Sequence, residues 1–110
     1  TFGYHNLVID FRSIPIMKGF GFPVSIDATH SLQHPGSARG YSGGNNEFIE
    51  YVAMAGLVFG ADVVFLETHP QPQTAPSDAA VMLPLSRLEP LLVKLKKIQK
   101  QVKNNYKGGC

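Results

Sequence analysis

The chain has 110 residues, an apolar fraction of 44% and a formal net charge of +2. This is enough for a packed core, and too little charge to argue for a nucleic-acid or membrane partner. Its one cysteine, Cys110 in a Gly-Gly-Cys terminus, excludes a disulfide framework and suits a reducing cytoplasm.

Taken in order, the chain opens without an initiator methionine in a motif-like stretch, Thr1-Phe2-Gly3-Tyr4, so a segment of a longer protein is expected. The first residues do not read as a signal peptide, and no run approaches the ~20 apolar residues of a membrane helix. Asn6 to Lys18 is expected to be helical, with Ser13-Ile14-Pro15 as a break or restart. Gly21-Phe22-Pro23 then breaks the chain before a short strand, Val24 to Thr29.

A glycine-rich loop, Ser31 to Gly44, leads into a helix from about Asn45 to Phe59. Asn45 or Asn46 supplies a cap and Gly60 a stop. Phe48, Val52, Ala55 and Phe59 recur at helical spacing and define its expected apolar stripe. Val63 to Thr68 is a second, nearly continuous apolar strand, of the kind buried on both faces of a parallel sheet. After a loop from Pro70 to Pro84, a long helix is expected from Ser86 to Asn104. Ser86 and Glu89 fit a capping box, and Pro90 falls in the first turn. Leu88, Leu91, Leu92, Leu95, Ile98 and Val102 form the stripe of this helix, and its lysines a solvated face. Residues 105–110 read as a flexible tail.

Strand, helix, strand is a βαβ unit with parallel strands. Two such strands do not close a sheet. They fit the last two strand–helix units of a (β/α)₈ barrel of about 250 residues, the C-terminal part of one domain; a doubly wound open sheet is the alternative.

Both strands gather polar residues at their C-terminal ends: Asp27, Thr29 and His30 in the first, Glu67, Thr68 and His69 in the second. Parallel α/β folds place their active sites on that face. A carboxylate closing the run Val63-Val64-Phe65-Leu66 is costly to bury without a partner, and a cation or a substrate hydroxyl offsets that cost. Asp78 sits in a long loop, a position equally suited to helix capping. His, Glu and Asp together suit a borderline divalent metal with an open position, while His30 taken alone is more often a hydrogen-bonded core histidine than a ligand. The loop Ser31–Gly44, with Arg39 and backbone N–H groups at a helix start, suits a sugar phosphate or carboxylate, or is a plain connector; its glycines also suit a lid. It has no GxxxxGK[ST] pattern of a nucleotide-binding loop.

Several segments together resemble the 3-deoxy-D-manno-octulosonate 8-phosphate synthases. These are Thr1-Phe2-Gly3-Tyr4, Asn6 to Asp10, Arg12 to Met17, Asp27-Ala28-Thr29-His30-Ser31-Leu32-Gln33, Ser42-Gly43-Gly44, Glu67-Thr68-His69-Pro70, Ala75-Pro76-Ser77-Asp78 and Pro84 to Glu89. The resemblance implies a cytoplasmic, homotetrameric barrel enzyme of lipopolysaccharide synthesis that condenses phosphoenolpyruvate with arabinose 5-phosphate. It implies that His30, Glu67 and Asp78 are ligands of a divalent Fe, Zn or Mn ion in the metal-dependent branch, with a fourth ligand outside these residues. It implies that His30 also lies beside phosphoenolpyruvate, and that Gln33 and Ser42 belong to a mobile loop over the pentose phosphate. His5, Met54, His34 and the stretch Ser37 to Tyr41 depart from the family pattern and bear on loop closure. The Phe-Gly-Tyr start and Asp-Ala-Thr-His-Ser-Leu-Gln argue against the related 3-deoxy-arabino-heptulosonate 7-phosphate synthases. On its own, a segment of this length is expected to be inactive, because half of the site would lie elsewhere.

Overall fold

The computed structural model describes residues 7–33, 46–74 and 82–107. The first helix, α1 (Ser13–Lys18), is shorter than the expected Asn6–Lys18. Asp10 is the reason. Its carboxylate accepts the Arg12 N–H at 3.0 Å and pairs with the Arg12 guanidinium at 2.7 Å. A side chain that takes a backbone N–H two residues on makes a turn in place of a helix. The Arg12 guanidinium also holds the Asp10 carboxyl down at about 2. The restart at Ser13 stands, with Pro15 in the first turn, where its missing donor costs least.

β1 (Ser25–Asp27) pairs in parallel with β2 (Val63–Phe65), Ser25 opposite Val63 and Asp27 opposite Phe65. The connection between them carries α2 (Ile49–Val58), entered through a 3₁₀ turn at Asn46–Phe48. α2 ends as its sequence indicates. Gly60, at φ +99°, closes a Schellman turn in which its N–H donates to the Leu57 carbonyl and that of Ala61 to the Gly56 carbonyl.

The face that α2 buries is not the expected one. Ile49, Ala53, Gly56 and Leu57 face the core, whereas Phe48 and Phe59 are exposed. Apolar residues surround this helix, so spacing alone selects no face. Packing selects the stripe containing Gly56, because only a residue without Cβ fits over Ile26 of β1.

Among the described residues the sheet is covered on one side. Ile26 is buried and Val64 packs on the same core, whereas Val63 and Phe65 are half-exposed. Strand side chains alternate, and within these residues α2 and its neighbours cover one face.

The second apolar strand does not run unbroken to Thr68. It stops at Phe65 and resumes as β3 (Thr68–His69), which pairs in parallel with β4 (Leu83–Pro84). β4 is an additional parallel strand beyond the expected two. Two residues are too few for periodicity to reveal, yet Leu83 is fully buried.

α3 (Leu88–Lys107) follows a 3₁₀ turn at Leu85–Arg87, so Ser86 lies inside that turn and is not the helix cap. The helix passes the expected end at Asn104, since no breaker occurs before Gly108. Leu91 and Leu95 are buried with Ala28, Ile49, Ala53, Leu57 and Leu83 in the main core, and Leu88 and Ile98 pack against it; Leu92 is exposed. Glu50 ties α2 to α3, accepting from Arg87 at 3.0 Å and Lys94 at 3.1 Å. Lys96, Lys97, Lys100 and Lys103 are exposed, as a solvated face requires. No helix among the described residues is long and apolar enough to cross a membrane.

Candidate active site

The in-register pairing of β1 with β2 brings their C-terminal ends level. Beyond β1 the chain turns into a 3₁₀ segment, His30–Leu32; beyond β2 it reaches Glu67. The result is a three-residue line. His30 Nδ1 lies 2.8 Å from Asp27 Oδ2, and His30 Nε2 lies 2.9 Å from Glu67 Oε2. The imidazole also lies against the Phe65 ring, 5.8 Å between centroids at 40°.

Asp27 is held by several donors. Its Oδ1 accepts from the backbone N–H of Thr29 at 3.0 Å, the Thr29 hydroxyl at 3.1 Å and the backbone N–H of His30 at 2.9 Å. Thr29 is fully buried. Burial pushes the Asp27 carboxyl up, but the hydrogen bonds from His30 and Thr29 outweigh it and leave the group below its ordinary value. Ser31 closes the turn, its hydroxyl donating to the Asp27 carbonyl at 2.6 Å. At the other strand end, His69 Nδ1 accepts the Gln71 N–H at 3.0 Å.

Of the expected site residues, His30 and Glu67 meet. Gln33 follows the His30 turn directly and is partly buried. Asp78 and Ser42 lie outside the described residues. Asp27 belongs to the site too. The spacing Asp27-x-x-His30 at a strand end is its signal, although periodicity assigns that carboxylate no task.

The donor set bears on whether an ion suits this place. Two ligands of one ion, each about 2.1 Å from it, lie about 3.4 Å apart in a tetrahedral site and about 3 Å apart where they stand at right angles, as in an octahedral one. The separation of His30 Nε2 and Glu67 Oε2 is 2.9 Å. The remaining imidazole nitrogen is engaged by a carboxylate, the usual backing of a metal-bound histidine. Among the described residues no group of three ligands converges; the pair fits an ion whose other ligands come from elsewhere.

Comparison with known proteins agrees with this architecture. The model of the DAHP synthetase I family matches residues 1–104. The 2-dehydro-3-deoxyphosphooctonate aldolase of Geobacter metallireducens is 53% identical over 103 residues, which cover 94% of this chain and 38% of that protein. The protein of the same name from Protochlamydia amoebophila is 46% identical over 107 residues, 97% of this chain and 39% of its own length. This is another name for the synthases that the motifs resemble, so the resemblance is borne out. The chain thus spans under two-fifths of the length of these relatives.

A truncated 3-deoxy-D-arabino-heptulosonate 7-phosphate synthase from Thermotoga maritima superposes with a TM-score of 0.76 at 23% identity, over 93% of this chain and 36% of that one. At that identity the likeness speaks for the fold, and it bears out the expected α/β architecture, the C-terminal part of a (β/α)₈ barrel. With the family model covering residues 1–104 and the strand ends arranged as above, the chain belongs to the DAHP synthetase I family.

Proposed function

We propose that this chain forms the metal-binding and sugar-phosphate side of the active site of a 3-deoxy-8-phosphooctulonate synthase. That enzyme condenses phosphoenolpyruvate with arabinose 5-phosphate, giving 3-deoxy-D-manno-octulosonate 8-phosphate and phosphate for lipopolysaccharide synthesis. The observation that carries the reading is the meeting of His30 and Glu67, 2.9 Å apart beyond paired parallel strands, in a chain about half identical to proteins named 2-dehydro-3-deoxyphosphooctonate aldolase. The heptulosonate synthase reading rests on the name of the family model, which does not separate the two activities, and on folds at 23% identity.

In this reading His30 Nε2, Glu67 and Asp78 hold a divalent Fe, Zn or Mn ion. When bound, the ion would orient the reacting aldehyde or activate a water. His30 borders the phosphoenolpyruvate, and Gln33 and Ser42 bind the pentose phosphate under the glycine-rich loop. The remaining ligands would come from barrel strands that the curated relatives possess beyond the matched portion. The family resemblance supports a homotetramer in the cytoplasm.

The test uses the enzyme that contains this segment, with phosphoenolpyruvate and either arabinose 5-phosphate or erythrose 4-phosphate. Product from the pentose phosphate alone is expected; turnover of the tetrose phosphate instead refutes the reading. Chelation is expected to abolish turnover and added Mn²⁺, Fe²⁺ or Zn²⁺ to restore it. Unchanged activity after verified metal removal contradicts the metal assignment.

A further inference from the structure

β1 ends in a carboxylate whose two oxygens have separate partners. Oδ1 accepts from the Thr29 N–H, the Thr29 hydroxyl and the His30 N–H at 2.9–3.1 Å. Oδ2 faces His30 Nδ1 at 2.8 Å. Because Thr29 is fully buried and Ser31 is bonded to the Asp27 carbonyl, the turn carrying this carboxylate is held at several points. An ionised carboxylate only accepts, so Nδ1 carries a hydrogen toward Asp27; Nε2, 2.9 Å from Glu67 Oε2, carries one as well until an ion takes its place. His69 is the opposite case: its Nδ1 accepts from the Gln71 N–H, which puts the hydrogen on Nε2.

We infer that Asp27 is a positioning residue. It sets the rotation of His30 and keeps a hydrogen on Nδ1, so that Nε2 is the nitrogen able to give up its hydrogen to an ion in the place shared with Glu67. This role rests on the metal reading above for its purpose, but not for its geometry. It also explains why a half-exposed strand-end aspartate gathers so many donors: each one fixes the oxygen next to the one that orients the imidazole. An asparagine at position 27 keeps the shape and an Oδ1 acceptor for the backbone N–H groups, but it turns an NH₂ toward Nδ1. Nδ1 then becomes the acceptor, and the one hydrogen of the neutral ring stays on the nitrogen that should bind the ion.

The experiment compares wild type, Asp27→Asn and Thr29→Val as full chains labelled with ¹⁵N. Ring-nitrogen shifts report which nitrogen of His30 is protonated, with the signal assigned by its loss in His30→Gln and His69 as the internal opposite. Zn²⁺ affinity is read by competition with a chelating dye. Expected are a protonated Nδ1 in wild type and a bare Nδ1 in Asp27→Asn. Zn²⁺ binding is expected to weaken by about 10–100-fold in Asp27→Asn and by less in Thr29→Val, which removes one of the donors and leaves the carboxylate. A bare Nδ1 in wild type overturns the inference, and that measurement decides even where Asp27→Asn fails to fold. Zn²⁺ affinity within twofold of wild type in a folded Asp27→Asn also overturns it. A proton that moves in Asp27→Asn while wild type takes up no Zn²⁺ supports the positioning role and sinks the metal reading instead.

Discussion

Helix α2 rests on β1 at one point of very close approach, and replacing Gly56 by Ala tests it. A Cβ at this position would lie 2.6 Å from Ile26 Cγ2, 3.0 Å from Ile26 Cβ and 3.1 Å from Ile26 Cγ1. Carbon atoms pack at about 3.5–4.0 Å, so a gap of about 1 Å must open. Ile26 cannot swing aside, because it is buried and its branched Cβ leaves χ1 little freedom. The helix must therefore lift, loosening Ala53 and Leu57 in the same stripe. Overpacking of this kind costs about 1–3 kcal/mol. Against it stands the better helix propensity of Ala, about 1 kcal/mol over Gly. The net expectation is a loss of up to about 2 kcal/mol, read as a lower urea midpoint with an unchanged slope. Ile26→Ala in the same chain is expected to make Gly56→Ala nearly neutral or stabilising, so the two changes couple strongly. A Gly56→Ala protein more stable than wild type by the full propensity gain would refute the reasoning. Because Ile26 adjoins Asp27, the same substitution is also expected to disturb the proposed metal site.

Three further outcomes are expected. Glu50→Gln removes the anion between Arg87 and Lys94, and with those partners half-exposed the loss at neutral pH is about 1 kcal/mol. The Lys94 ammonium and the Arg87 guanidinium hold the Glu50 carboxyl below its ordinary value of 4.5, so this stability is present above that value and is lost as pH falls through the lowered one. Urea titrations of the two proteins therefore converge in acid, and a gap that persists at low pH contradicts the assignment. Gly60→Ala forces a side chain into φ +99°, where a Cβ would make only ordinary contact with the Lys18 side chain at 3.6 Å, so the cost is backbone strain of about 1 kcal/mol; thermal unfolding that shows no loss would rule this out. In the active enzyme, Ser42→Ala is expected to raise KM for the pentose phosphate by about tenfold, the worth of one hydrogen bond to a charged group, and a defect confined to phosphoenolpyruvate would misplace the loop.

Much of the local structure is legible in the chain. Gly60 ends α2 because it can take a positive φ, and β1 and β2 follow from apolar runs bounded by breakers. The restart at Ser13 and the exposed lysines of α3 are likewise local properties. Where prediction strays, a local rival or a missing periodicity explains it. Asp10 captures the Arg12 N–H and keeps the preceding residues out of the helix, and Leu83–Pro84 is too short to show an alternation.

The site divides in the same way. The sequence by itself determined that His30 and Glu67 stand at the C-terminal ends of two strands, and its motifs resemble one family of synthases. Only the tertiary structure decided that the strand ends are level, that His30 Nε2 comes within 2.9 Å of Glu67, and that Asp27 grips the other nitrogen. It also decided which face of α2 is buried, through Gly56 on Ile26. The physical reason is range. Caps, turns and strand runs depend on a few neighbouring residues, whereas register and facing depend on how distant surfaces fit.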